Sequence, residues 1–155
     1  MKYKELLNST RKVSPISLQE AGTRKTFDLD LSYDERHQIM TFTGKIQGSR
    51  GYYEWQLDFM NVGKEDNLSI LEIREGRFPK PSLSRNEIKV FCSCDSFRFT
   101  FSEPNRLRNA KTGPSFPGFV RKTNRVSRNP NQQPGLCKHL ITVVEELVNE
   151  GFIFN

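Results

Sequence analysis

All three cysteines and one of the two histidines fall into two short pairs, Cys92-Ser93-Cys94 and Cys137-Lys138-His139, in a chain of 155 residues. Soft donors gathered in this way constrain the fold more than any stretch of apolar residues, because a shared ion would force two distant segments together. Zinc takes thiolate and imidazole ligands in a closed tetrahedron, and a Cys₃His set is one of its usual structural combinations. Cys92, Cys94, Cys137 and His139 are therefore read as one zinc site with a single structural Zn²⁺. Any one of the cysteines could instead be a small buried hydrophobe. A Cys92–Cys94 disulfide would be badly strained and would leave an odd thiol. A Cys137–His139 catalytic dyad fails because residues two apart on a helix do not face each other. The same geometry requires Cys137 to stand at the helix entrance if both residues are to reach one ion.

The order C-x-C, spacer, C-x-H resembles the SWIM-type zinc finger over roughly Ile88 to Phe152. The resemblance implies a first ligand pair on a β-hairpin, a second pair opening a helix, no catalytic role for the ligands, and binding of DNA or of other proteins. The spacer from Asp95 to Leu136 is longer than is typical of that family. Two phrases, Ser96-Phe97-Arg98-Phe99 and the run from Asn129-Pro130 through Leu140, are also similar to small uncharacterised proteins encoded by large bacteriophages. That second resemblance implies a structural subunit of a virion.

Apolar residues make up 35% of the chain, and mean hydropathy is −0.65, which places sizeable segments outside the core. Twelve Phe offset this, since each buries a large area. No apolar run reaches the ~20 residues of a membrane span, and the N-terminus lacks a signal peptide's hydrophobic region. The expectation is no membrane and no secretion, with reduced metal-binding cysteines in the cytoplasm or in a virion. The net charge of +6 is unevenly placed. Between Asp95 and Leu136 lie Arg98, Arg106, Arg108, Lys111, Arg121, Lys122, Arg125 and Arg128 against only Asp95 and Glu103, so the rest of the chain is neutral.

Along the chain, residues 1–24 are polar and read as an N-terminal arm that orders only against something else. From 25 to 87 the period becomes two. Phe27, Leu29 and Leu31, then Met40, Phe42 and Ile46, then Tyr53, Trp55, Leu57 and Phe59 mark strands of an antiparallel meander. His37 falls in the first turn as a solvated histidine. Between Asn61 and Asn86 the pattern weakens, and Phe78-Pro79-Lys80-Pro81 reads as loop. Residues 88–155 form the zinc module, with a basic insert at about 102–134. Alternation at Ile88, Val90 and Cys92, and again at Phe97, Phe99 and Phe101, predicts a hairpin with both sulfurs at its tip. Leu140, Ile141, Val143, Val144, Leu147 and Val148 give a helical stripe that Gly151 ends. The dipole at that helix's start is expected to lower the Cys137 pKa.

The predicted fold is α+β: an antiparallel β-meander, a zinc-knuckle hairpin, and one C-terminal helix docked on it. The insert offers Arg106, Arg108, Lys111, Arg121, Lys122, Arg125 and Arg128 to carboxylates or phosphates, with Phe116 and Phe119 to fill pockets or stack on bases. Asp28, Asp30, Asp34 and Asp58 follow strand or turn spacing, and neither a Gly-rich phosphate loop nor a nucleophile–base pair is present. The expected function is a non-enzymatic, zinc-stabilised interaction module without a small-molecule substrate. Its partners are other protein subunits of a large assembly or, alternatively, DNA or RNA.

Overall fold

The computed structural model describes residues 1–21, 25–63, 70–73, 76–116 and 128–155. Two helices come first, α1 (Tyr3–Val13) and α2 (Pro15–Gln19). Three long strands follow, β1 (Thr26–Asp34), β2 (Ile39–Gly48) and β3 (Gly51–Phe59). A short pair comes next, β4 (Ile70–Ile73) and β5 (Gly76–Pro79), and then β6 (Ile88–Cys92). A π-helical turn (Phe97–Phe101) runs into α3 (Ser102–Leu107), and α4 (Lys138–Asn149) closes the chain. The main sheet has the order β1-β2-β3-β6 with every neighbour antiparallel, while β4 and β5 pair separately.

Period two decides which face of the sheet is buried. Met40, Phe42 and Ile46 on β2 lie opposite Phe59, Leu57 and Tyr53 on β3, and Phe59, Leu57 and Trp55 lie opposite Ile88, Val90 and Cys92 on β6. These side chains share one face, and all except Tyr53 are buried. Opposite Trp55 stands Gly44, where an added Cβ would lie 2.6 Å from the indole ring, so only glycine admits the tryptophan. The helices cover this face. Leu6, Phe97, Phe101, Leu136, Leu140 and Ile153 are fully buried against it.

Four expectations need correction. The N-terminal segment is not a separate arm: Tyr3, Leu6 and Thr10, spaced three and four apart, turn one helical face into the core. The knuckle has no second strand. Phe97 and Phe101 are buried, whereas Phe99 is 48% exposed, which a strand with all three on one face would forbid. Phe97 and Phe101 stand four positions apart, a spacing a helix satisfies equally well. The outer edge of β6 is instead taken by residues from the insert and the N-terminus, through Val90 N to Ala110 O at 2.9 Å, Thr112 N to Val90 O at 3.1 Å, and Ile88 N to Met1 O at 2.8 Å. The segment read as loop at Phe78-Pro79 forms β5, with Pro79 at the strand end, where its missing N–H costs no ladder bond. Phe27 and Leu29 do not alternate into the core. A bulge between Phe27 and Asp30, with Asp28 at φ 54°, leaves them 42% and 40% exposed.

The C-terminal helix ends as its sequence implies. Gly151 at φ 81° lets the Phe152 amide reach Leu147 O at 2.9 Å and its own amide reach Val148 O at 3.1 Å.

Candidate metal centre

Each of the four donors sits at or beside the end of an element. Cys92 ends β6 with its side chain on the buried face, opposite Trp55. Ser93 prolongs that pairing by one step: its amide donates to Glu54 O, and its hydroxyl accepts from Glu54 N, both at 2.9 Å. The chain then turns helical at once. Arg98 N donates to Cys94 O at 3.0 Å, and Phe97 N points at Cys94 Sγ at 3.4 Å. Across the core, Cys137 caps α4 in an extended conformation (φ −77°, ψ 165°), its carbonyl accepting from Ile141 N at 3.2 Å. His139 follows within the first turn. Cys137 thus has the pre-helical backbone that lets a C-x-H pair converge.

The ligand atoms of Cys92, Cys94, Cys137 and His139 all lie within 4.8 Å of one another, and all four residues are buried. Zn–S bonds near ~2.3 Å in a tetrahedron put donors roughly 3.5–3.8 Å apart, so small side-chain adjustments close such a set on one ion. The imidazole supplies an independent sign. His139 is 4% exposed, and neither Nδ1 nor Nε2 has a hydrogen-bond partner. A buried ring with two unpaired nitrogens is costly, and coordination by one of them relieves part of that cost. Tyr53 flanks the ring, with centroids 4.9 Å apart and a 44° tilt.

Burial pushes the thiols of Cys92 and Cys137 up, whereas Cys94 is held far below the usual thiol range by hydrogen bonds from the Cys137 and Cys92 thiols. Of the three sulfurs, Cys94 is the one biased toward the thiolate. This reverses the expectation for Cys137: desolvation in a fully buried position outweighs the helix dipole.

A frame of side chains outside the four donors fixes the approach to α4. Asn105 Nδ2 donates to Gly135 O at 2.9 Å, and Asn105 Oδ1 accepts from Gly135 N at 2.8 Å. Asn129 binds Thr100 O at 2.9 Å and Gln133 O at 2.7 Å. Thr10 Oγ1 accepts from Leu136 N at 2.7 Å. In sequence these residues read as insert and arm, and nothing in their local pattern marks them as buried.

The insert residues are dispersed. Arg106 spends its guanidinium on Glu103, at 2.8 and 2.6 Å. Arg108 lines a cleft with Met1, Met60 and Glu87, and Arg128 lines another with Lys12 and Gln133. Lys111 and Phe116 do come together. Phe116 stacks on Phe91 at 5.6 Å, and Lys111 Nζ lies 5.9 Å from the Phe116 ring while donating to Pro114 O at 2.8 Å, its pKa lowered by partial burial. Phe119, Arg121, Lys122 and Arg125 lie outside the described residues. No helix among the described residues is long and apolar enough to cross a membrane. Comparison of the chain with protein-family models, with curated proteins and with solved structures gives no match.

Proposed function

We propose that this chain is a non-enzymatic interaction module fastened by one structural zinc, and that it serves as a protein subunit of a larger assembly such as a virion. The observation that carries the reading is the closure of the donor set: three thiols and an imidazole meet inside the core with at most 4% of any of the four residues exposed. A catalytic metal keeps an open position for water or substrate, and a structural one does not. Thiolate-rich donor sets favour zinc over the hard cations. A metal here ties the end of β6 to the start of α4, so binding energy becomes folding energy for that half of the chain. Outside that core the protein shows Ile16, Phe27, Leu29, Tyr52, Phe99 and Leu107 to solvent, all 40% exposed or more, which suits a chain that docks on others.

Nucleic-acid binding is the second reading, and one observation favours it. Arg98 lies over both Phe99 (5.0 Å) and Phe116 (5.5 Å), a cation among aromatic rings in the stretch of sequence that carries the net charge. Filter binding of the zinc-loaded protein to single- and double-stranded DNA across a salt series separates the two. The assembly reading expects weak, salt-insensitive retention. Affinity that falls steeply with salt, by the number of phosphates contacted, overturns it.

A further inference from the structure

The two edges of the main sheet are treated differently. At β6 the chain covers its own edge with Met1 and with Ala110 and Thr112. At β1, among the described residues, no backbone group bonds to the outer side. An open edge presents a row of unpaired N–H and C=O groups, and proteins usually blunt it. Here the bulge between Phe27 and Asp30 blunts only the first part. From Asp30 to Asp34 the register against β2 is unbroken, from Asp30↔Thr43 to Asp34↔Ile39.

The side chains along this edge have a definite chemistry. Leu31 and Tyr33 lie on the core face opposite Phe42 and Met40, yet they are only half-buried while their opposite numbers are fully buried. Tyr33 donates its hydroxyl proton to Val62 O at 2.8 Å, but among the described residues the core face is less fully covered along β1 than along β2. On the other face stand Phe27, edge-on to exposed Tyr52 at 6.1 Å, and Asp30. Thr26–Asp34 contains three aspartates and no Lys or Arg in a chain of net charge +6. Lys45 meets Asp28 at 3.5 Å and His37 meets Asp34 at 2.7 Å, whereas Asp30 has no ionic partner among the described residues. A second copy pairing through this edge would set aspartates against aspartates, which cross-strand pairing disfavours.

We propose that the edge of β1 over Asp30–Asp34 accepts an extended segment of a partner protein in which Lys or Arg alternates with apolar residues. Its cations meet Asp30 and its apolar side chains cover Leu31 and Tyr33, by strand addition. The inference rests on the interaction-module reading and names the partner's chemistry.

The test titrates the zinc-loaded full chain with a ten-residue peptide of alternating Lys and Val, followed by amide hydrogen exchange. Slowed exchange at alternate residues of Asp30–Asp34 is expected. Asp30→Lys should weaken binding by about two- to fivefold and improve binding of the matching Glu/Val peptide, a swap that misfolding cannot produce. Equal binding of both peptides to the unaltered protein overturns the proposal. So does β1 protection in a concentration-dependent dimer without peptide. Absence of binding, or protection confined to other surfaces, removes the β1 site but leaves the module reading standing. That reading falls to a different result, steeply salt-dependent DNA binding.

Discussion

The hydroxyl of Thr10 accepts a hydrogen bond from the amide of Leu136 at 2.7 Å and donates its own proton to Leu6 O at 2.8 Å. A side chain in the first helix thereby satisfies a buried amide one residue before Cys137. Thr10→Val keeps the shape and removes the acceptor. An unsatisfied buried N–H costs about 1–3 kcal/mol, and in a chain of this size each kcal/mol lowers the melting midpoint by roughly 2–4 °C. Thermal melts of the zinc-loaded variant should show that loss, and an unchanged midpoint would show that the bond does not stabilise the fold.

Gly135 tests the same junction by volume. An added Cβ would lie 2.5 Å from the Phe101 ring and 2.8 Å from Thr10 Oγ1, beside the Asn105 clamp. Gly135→Ala is expected to destabilise by about 1–3 kcal/mol through overpacking, read from urea denaturation at constant m-value. A neutral outcome would mean that the ring and the helix move aside freely.

His139→Ala removes one donor of the proposed site and a ring packed on Tyr53. Elemental analysis of the reduced wild type should find one zinc per chain, and the variant should lose it to a chelator at far lower concentration. Circular dichroism should then show reduced helix signal as α4 loosens. Retained zinc with unchanged melting contradicts the site.

The thiol pKa values set the proton balance of metal binding. Burial raises Cys92 and Cys137, so the metal-free fold holds both protonated at neutral pH, and that contribution fades as pH rises through the raised values. Cys94 already favours the thiolate. Zinc binds thiolates, so loading should release about two protons per ion near neutral pH, and acid should expel the metal. A pH indicator in weak buffer measures this, and release well below one proton would refute the assignment of protonation states.

His37 donates its Nδ1 proton to Asp34 Oδ2 at 2.7 Å in the turn between β1 and β2, and that bond holds the Asp34 carboxyl below its usual range. Stability from a lowered carboxylate is present at neutral pH and lost as pH falls through the lowered value. Both groups are exposed, so Asp34→Asn should change the acid side of the melting profile only slightly. A large change would place the turn in a tighter network than its exposure implies.

Much of the fold was legible because its signals are local. Alternation at Met40, Phe42 and Ile46 and at Trp55, Leu57 and Phe59 is a property of a few neighbouring residues, as are the stripe of α4 and its Gly151 ending. The four donors were legible because Cys and His in C-x-C and C-x-H pairs have few other uses. Phe97, Phe99 and Phe101 misled for the reason that makes short runs ambiguous: spacings of two and of four coexist in three residues, and burial alone chooses between them.

By itself the sequence determined the strands of the meander, the last helix and the four residues of the cluster that could hold a metal ion, since each depends on side-chain chemistry at short range. The tertiary structure alone decided that the N-terminal segment packs as a helix beside Leu136, that Asn105 and Asn129 become interior clamps, and that, among the described residues, one sheet edge is covered while the other is not. Those outcomes depend on contacts between positions as far apart as Thr10 and Leu136, and which polar group ends up buried is settled by what it meets in space, not by its neighbours along the chain.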